Sequence, residues 1–223
     1  MLCLIPELAA RDPLTVLCLG AHADDLEIGC GGTLLRLLAE RPRVTVHWVV
    51  FSGDSVRERE ARAAAQRLLR RAVARRVRIE GFPDSRFPWH GDAIKNVFED
   101  LKRSVSPHFI FTHHRNDAHQ DHRLIAELTW NTFRDHAILE YEVPKYDGDL
   151  GQPNVYVPLS NAIRSAKLRL LMTAFPSQRK RTWFTPSTFD AVMRLRGIEC
   201  VAAHGWAEAF HARKLVIAPS AGR

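Results

Sequence analysis

Two short segments of the sequence concentrate side chains that bind metal ions and move protons. The first is Gly20-Ala-His-Ala-Asp-Asp25, in which one histidine and two adjacent carboxylates fall within four residues. The second is Thr112–His122, which holds four of the eleven histidines of the chain. Imidazole and carboxylate groups are ligands that suit zinc. The two segments together therefore indicate a metal-dependent reaction.

Each of these segments follows a predicted strand. Leu14–Leu19 is almost wholly apolar, as expected for a strand buried on both faces, and His108–Thr112 is a second such run. The carboxyl ends of parallel strands meet at one sheet edge, where ligands of open α/β sheets bind. We therefore expect the two segments to meet there. Three protein ligands and an open position would make a catalytic zinc site, in contrast to a closed structural one.

The elements between and after these strands predict an α/β fold. The further predicted strands are Val44–Phe51 and Arg76–Phe82, and the predicted helices are Gly31–Glu40, Arg57–Ala74, Asp92–Ser104 and His119–Phe133. Strands that alternate with helices indicate right-handed βαβ units and a mainly parallel sheet. We predict a Rossmann-like three-layer sandwich.

The regular alternation of predicted strands and helices ends at about residue 136. Short strands or loops are predicted at Tyr141–Tyr146 and Asn154–Leu159, helices at Asn161–Thr173 and Pro186–Gly197, and a last strand at Lys214–Ala218. No linker or repeat divides the chain. We predict a single domain over residues 1–223, with its core at about 14–135 and an elaboration at about 136–223 that shapes the substrate pocket.

The two polar segments resemble a known family. Ala21-His-Ala-Asp-Asp25 with Gly31-Gly-Thr33, followed by His119-Gln-Asp-His122, is similar to the two signatures of the LmbE-like, or PIG-L, family of zinc-dependent N-acetylglucosamine deacetylases. The resemblance covers roughly residues 14–135. Ala23 stands where proline is commoner, and Leu26 stands where glutamate often follows the Asp pair. Neither change removes a residue to which the resemblance gives a role.

The resemblance implies an LmbE-like fold, one Zn²⁺ per chain, or another divalent ion, and hydrolysis of an N-acetyl group on an amino sugar or sugar conjugate. The implied metal ligands are His22, Asp25 and His122. Asp24 is the implied general base, and His119, tuned by Asp121, stabilises the oxyanion or protonates the leaving amine. Amide hydrolysis needs an activated water, a proton acceptor and a proton donor, which this set supplies.

Three further residues are predicted to contact the substrate. Arg57 and Glu60 match an Arg-x-x-Glu pattern that recurs in the family, so Arg57 is a candidate for substrate binding. Tyr141 and Glu142 belong to a segment similar to one in bacterial members that act on sugar precursors. Core packing explains this segment equally well.

Composition bounds the partners and the compartment. The formal net charge of +7 favours a phosphate-bearing substrate, while no RNA- or DNA-binding signature accompanies the arginine-rich helix that starts at Arg57.

Met1–Ala10 lacks the basic start of a signal peptide, and no apolar run reaches the ~18–20 residues of a membrane span. Four cysteines without CxxC spacing favour free thiols. We expect a cytoplasmic protein without stable membrane insertion or bound nucleic acid. A homo-oligomer is left open.

Two alternative functions remain at this point. A zinc-dependent amidase acting on a non-sugar amide would have the same reaction centre, so only the range of substrates separates it from a sugar deacetylase. A basic nucleic-acid-binding module is supported by the net charge and by the arginine-rich helix that starts at Arg57.

Overall fold

A seven-stranded sheet forms the centre of the computed structural model, which describes residues 13–215. The strands are β1 (Leu14–Gly20), β2 (Val44–Ser52), β3 (Ala74–Phe82), β4 (Phe109–His113), β5 (Ala137–Tyr141), β6 (Val155–Leu159) and β7 (Trp206–His211). Their order is β3-β2-β1-β4-β5-β7-β6. Strands β1 to β5 pair in parallel, and β7 pairs antiparallel with both β5 and β6. The predicted α/β class with a mainly parallel sheet is confirmed.

Helices cover both faces of the sheet and make three layers. They are α1 (Asp25–Glu40), α2 (Ser55–Leu68), α3 (Gly91–Ser104), α4 (Gln120–Thr132), α5 (Asn161–Ala174) and α6 (Pro186–Glu199). Side chains of β1 alternate between the faces: Val16 packs in the cluster formed with α1, α2 and α5, and Leu17 in the cluster formed with α3 and α4. Both are fully buried, as the apolar run predicts for a central strand.

Several element boundaries differ from the prediction. Helix α1 begins at Asp25, six residues before the predicted Gly31, so the two carboxylates stand at its N-terminus and not in a loop. Strand β5 ends at Tyr141, where a strand was predicted to begin. Lys214 and Leu215 are not in a strand, and the rest of the predicted last strand lies outside the described residues. So does Met1–Ala10, on which the signal-peptide prediction rests.

Strand β7 was missed as a strand because its centre carries the charged Glu208. A charge in a short apolar run suggests a solvent-facing position, yet Glu208 is buried beside Lys167. Among residues 13–215, no helix has the length and apolar character needed to cross a membrane.

Candidate metal centre and catalytic cleft

The two histidine- and aspartate-rich segments meet at the carboxyl-terminal edge of β1 and β4, which are parallel neighbours. β1 ends at Gly20 and leads through a short turn into α1, and β4 ends at His113 and leads through a loop into α4. This topology brings His22, Asp24 and Asp25 to the same place as His119, Asp121 and His122. The six residues lie together because adjacent parallel strands deliver their following loops to one side.

Three potential ligand atoms converge in this place. His22 Nδ1 lies 3.0 Å from His122 Nε2 and 3.4 Å from Asp25 Oδ2, and His122 Nε2 lies 3.6 Å from Asp25 Oδ2. Ligands about 2.0–2.1 Å from a tetrahedral zinc ion lie roughly 3.3 Å from one another. The spacing of the three atoms therefore fits a shared metal ion.

Hydrogen bonds turn the lone pairs of both histidines toward this point. Nδ1 of His122 lies 2.9 Å from Asp117 Oδ2, and Nε2 of His22 lies 3.0 Å from Asp84 Oδ1 and 3.2 Å from Asp121 Oδ2. A ring nitrogen that faces a carboxylate carries the hydrogen, which leaves the other nitrogen to accept or to bind metal. The contacts between these two ring nitrogens and the Asp25 oxygen fit either a shared proton or a metal ion between them.

The titration of these groups points the same way. Burial and the neighbouring His113 lower the pKa of His122 to about 4, so that ring is neutral near pH 7 and offers a lone pair. Burial opposes a charge on His22, but Asp25, Asp121 and other nearby carboxylates raise its pKa well above its ordinary value. The centre thus attracts positive charge, and the donor set of two imidazoles and one carboxylate fits a divalent metal ion.

His113 supports this centre from behind. Its Nε2 accepts a hydrogen bond from the amide of Ala21 at 2.9 Å and lies 3.1 Å from Asp25 Oδ2, and its side chain is fully buried. The contact with the Ala21 amide ties His113 to the β1–α1 turn, and its side chain is also close enough to Asp25 and His122 to share a metal ion with them.

Asp24 is held by an arginine from the next helix. Its Oδ1 lies 2.5 Å from Arg57 Nη2, while its buried Oδ2 has no hydrogen-bond partner among the described residues. Burial raises the pKa of Asp24 and Asp25 adds to the effect, whereas Arg57 opposes it. Although Asp24 is the residue before α1, its side chain makes no capping bond. One carboxylate oxygen is therefore anchored and the other is free at the cleft.

Arg57 is anchored in turn. Its Nη1 lies 3.2 Å from Glu60 Oε2 and 3.3 Å from Ser177 Oγ, and Ser177 also donates to Glu60 at 2.6 Å. Sequence analysis predicts Arg57 to contact the substrate. The structure does place it in the cleft wall, but with its guanidinium engaged by Asp24 and Glu60.

His119 and Asp121 have separate environments. His119 precedes α4, lines the cleft, and accepts the amide hydrogen of Asp121 on Nδ1 at 3.3 Å. The carboxylate of Asp121 is fully buried and accepts from the amides of Ser85 at 2.7 Å and Phe87 at 3.1 Å. It contacts His22, and its hydrogen bond to His119 runs through its backbone. Burial lowers the pKa of His119, and the charge of the Asp121 carboxylate acts against this effect.

Tyr141 and Glu142 lie apart from the cleft lining. The Tyr141 ring is fully buried against Gly29, where a Cβ would be 2.1 Å away, and its hydroxyl donates to the carbonyl of Leu19 at 2.8 Å. Glu142 is 2.8 Å from Arg196 Nη2 and lines a separate small cavity. Neither side chain lines the cleft of the described structure, although both are predicted to contact the substrate. Tyr141 is instead bonded to the backbone of β1, and Glu142 is paired with Arg196.

The centre opens into a cleft of about 820 Å³. This volume lies in the upper part of the ~300–1,000 Å³ range of small-molecule sites. The wall opposite the histidines includes Arg57, Tyr146, Ser177, Arg181 and Trp183. Tyr146, Ser177, Arg181 and Trp183 belong to the part of the chain after residue 136.

Sequence reasoning missed Asp84 and Asp117. Asp84 follows β3, whose carboxyl end lies at the same sheet edge, so the rule that joined the other two segments also covers it. Asp117 lies inside the second segment, where an aspartate is equally typical of a helix cap. In the structure it accepts from the amide of His119 at 2.8 Å and pairs with His122 and Lys145.

Comparison with known proteins identifies the family. The sequence profile described as PIG-L, GlcNAc-PI de-N-acetylase, matches residues 17–133, which contain both polar segments. The chain belongs to the PIG-L family. It is accordingly a deacetylase, a hydrolase of amide bonds. The match covers His22, Asp25 and His122, so the proposed ligand set lies inside the shared part of the family.

Individual relatives of this PIG-L chain extend the comparison. The Escherichia coli (strain K12) protein described as the uncharacterized deacetylase YaiS is 29% identical over 141 residues, which are 58% of this chain and 74% of that protein. N,N'-diacetylchitobiose deacetylase from Pyrococcus horikoshii is 18% identical with a TM-score of 0.68, covering 90% of this chain and 84% of that one.

The same fold also carries another reaction. GalB, the 4-carboxy-2-hydroxymuconate hydratase from Pseudomonas putida KT2440, is 18% identical with a TM-score of 0.71, covering 94% of this PIG-L chain and 100% of that one. At such identities, the two solved structures establish the fold alone. The deacetylase activity of this chain follows from the family match and not from these two structures.

The contact of Asp117 with His122 supplies a first prediction. Asp117→Asn weakens the acceptor that keeps the hydrogen on His122 Nδ1, so the affinity of the protein for Zn²⁺ should fall about 10- to 100-fold. Competition with a chelating dye measures this. Asp149→Asn is the matched control, since Asp149 shares Lys145 but makes no contact with His122 in the described structure. Equal affinities in both variants would contradict the assignment.

Proposed function

We propose that this chain is a zinc-dependent N-deacetylase that hydrolyses the acetamido group of an N-acetylated amino sugar or sugar conjugate. The observation that carries the proposal is the convergence of His22 Nδ1, Asp25 Oδ2 and His122 Nε2 within 3.0–3.6 Å, beside the unpartnered Oδ2 of Asp24. This is the donor set of a three-ligand zinc site with a base next to it.

His22, Asp25 and His122 would hold the metal ion. Bound there, Zn²⁺ supplies polarisation of the amide carbonyl and a lowered pKa of the attacking water. Other divalent transition metals accept the same donor set, and reconstitution with each ion in turn separates them.

Asp24 is proposed as the general base. Its Oδ2 takes the proton of the attacking water, while Arg57 holds Oδ1 and keeps the carboxylate from rotating. The water oxygen bonds to the acetyl carbon, and the C–N bond then breaks. The proton taken up by Asp24 leaves with the amine, so that acetate and a free amino group are the products.

His119 is proposed to act on the other side of the amide. Because its Nδ1 accepts the Asp121 amide hydrogen, the hydrogen of the neutral ring sits on Nε2. Burial and the charge on His22 lower the pKa of His119, which favours this neutral form. The N–H of the neutral ring stabilises the developing oxyanion by donating a hydrogen bond, while the proton that the leaving amine takes up comes from Asp24.

The shape of the cleft supports a sugar conjugate as the substrate. Its volume exceeds what an acetamido group and one sugar ring fill, and it presents the rings of Tyr146, exposed by 67%, and Trp183. Aromatic faces of this kind pack against the apolar faces of sugars. A sugar deacetylase among the structural neighbours agrees with this choice.

A phosphate on the substrate would meet Arg181. Arg57 and Lys145 in the cleft wall are already paired with carboxylates, whereas the guanidinium of Arg181 has no partner among the described residues. We therefore favour a phosphate-bearing conjugate. We further propose a cytoplasmic setting, supported by the free thiols of Cys18, Cys30 and Cys200.

Arg181→Gln tests the phosphate. The KM for N-acetylglucosamine 1-phosphate should rise about 2- to 10-fold, since an exposed charge contact is lost, while the KM for N-acetylglucosamine stays unchanged. Lys180→Gln is the control, because Lys180 is adjacent in sequence but does not line the cleft in the described structure. A KM that rises equally for both sugars, or for neither, would exclude the phosphate contact.

The proposed function is tested by acetate release. Metal-stripped and zinc-loaded protein are assayed with N-acetylglucosamine, its 1-phosphate, N,N'-diacetylchitobiose and a set of non-sugar acetamides. We expect acetate from sugars only, and only with metal. Turnover confined to the non-sugar acetamides would favour the alternative amidase. A folded, zinc-loaded protein that releases no acetate from any sugar would overturn the proposal.

A further inference from the structure

A buried ion pair between Lys167 and Glu208 forms hydrogen bonds with the backbone of α1. The backbone amides of Gly32 and Thr33 donate to Oε1 and Oε2 of Glu208 at 2.7 and 2.6 Å. In a regular α-helix the amide of Gly32 donates to the carbonyl of Ile28. Here that carbonyl accepts from Lys167 Nζ at 2.5 Å. Lys167 therefore binds the first turn of α1 at Ile28, and Glu208 binds the backbone of the following turn at Gly32 and Thr33.

The pair belongs to the C-terminal part of the chain. Lys167 lies on α5 and Glu208 on β7, their charged atoms are 2.6 Å apart, and they are 3% and 4% exposed. Neither lines the cleft in the described structure. A buried ion pair is often no more stabilising than apolar side chains of the same size. The contacts of the pair with the backbone of α1 indicate a role other than stability.

Gly32 shows that the sequence of α1 accommodates the carboxylate. A Cβ at this position would lie 2.8 Å from Glu208 Oε1 and 2.8 Å from Leu159 Cδ1. Only glycine admits the approach of the carboxylate to the helix backbone at this distance. The glycine, the Ile28 carbonyl and the ion pair thus form one local arrangement.

We propose that Lys167 and Glu208 are positioning residues that set the orientation of the first turn of α1, and through it of Asp25 and Asp24. The turn is short and is bonded on both sides: the Ile28 amide donates to the Asp24 carbonyl at 3.0 Å, and the Ile28 carbonyl is held by Lys167. Asp25 opens this turn, so an error in its direction displaces the Oδ2 that faces His22 and His122. The inference rests on the proposed metal-dependent function.

The test replaces both charges at once, Lys167→Met with Glu208→Met, which leaves no buried charge unpaired. We expect a folded protein with an unchanged or higher melting temperature. We also expect an affinity for Zn²⁺ that is about 10- to 100-fold weaker, as for lost support of a ligand. The kcat should fall with KM unchanged, and the visible absorption of the cobalt-substituted protein should shift. Wild-type affinity, kcat and cobalt spectrum in the folded double variant would overturn the inference.

The second ion pair of α5 provides the matched control. Arg164 pairs with Asp190 of α6 and makes no contact with α1 in the described structure, so Arg164→Met with Asp190→Leu should keep wild-type metal affinity. If the Met double variant fails to fold, Glu208→Gln decides, since it keeps the size and one acceptor oxygen. Its affinity for Zn²⁺ should fall several-fold, and wild-type affinity would overturn the inference.

Failure of the proposed function gives a different pattern. A wild-type protein that binds zinc but releases no acetate would refute the deacetylase, while the affinity and cobalt measurements still decide the role of the pair. A wild-type protein that binds no divalent metal would overturn both.

Discussion

Asp24→Asn should retain zinc and lose about three orders of magnitude in kcat, within the ~10²- to 10⁴-fold contribution of a general base. The amide of asparagine accepts no proton from water, whereas its size and its contact with Arg57 resemble those of the carboxylate. Metal should stay because Asp24 is outside the set formed by His22, Asp25 and His122. Steady-state acetate release, with zinc content measured on the same sample, separates the two effects.

Asp147→Asn is the matched control for this variant. Asp147 lines the same cleft, and its side chain is 43% exposed near Lys145, so loss of its charge should leave kcat within a few-fold of wild type. An Asp24→Asn protein that is as active as this control would exclude Asp24 as the base. Loss of zinc from Asp24→Asn would move Asp24 into the ligand set.

His122→Ala should lose its zinc and, with it, all metal-dependent turnover. His122 is 2% exposed, and its Nε2 is one of the three proposed ligand atoms, so its loss leaves two of the proposed protein ligands. The drop in affinity should exceed the ~10- to 100-fold that follows from losing a supporting hydrogen bond. Metal analysis after dialysis at fixed free zinc measures it.

His114→Ala controls for the loss of a buried histidine in the same region. His114 stacks on His211 at a centroid distance of 3.8 Å and contributes no atom to the convergent set. The His114→Ala variant should keep one zinc ion per chain. Equal zinc content in the two alanine variants would contradict the ligand assignment.

The position of the centre follows from the sequence by one physical rule. Short apolar runs predict buried parallel strands, and the residues that follow such strands meet at one edge, which joins His22 with His122 across a hundred residues. The first four strands and the four helices that follow them are predicted by the same alternation, with shifts of up to six residues at their ends, whereas β5 is not. A pattern of residue types suffices for these features because burial on both faces leaves a continuous apolar run.

The supporting contacts do not follow from such a rule. Glu208 looks like a surface charge in its segment, and only the approach of Lys167 from α5 explains why it is buried in β7. Tyr141 and Glu142 have the residue types of a sugar site, but their partners, Leu19 and Arg196, come from elements that are distant in sequence. Periodicity reports which side of an element is buried, and it carries no information on which side chain arrives from another element.

The metal content of the purified protein tests whether His22, Asp25 and His122 bind one ion together. Purified protein should contain one divalent ion per chain, lose it with its acetate release on treatment with a chelator, and regain both on addition of zinc. The His122→Ala variant should contain no divalent ion as purified, and added zinc should not restore its acetate release. A folded wild-type chain that binds no divalent ion at micromolar concentrations, or that releases acetate equally well without one, would contradict the account.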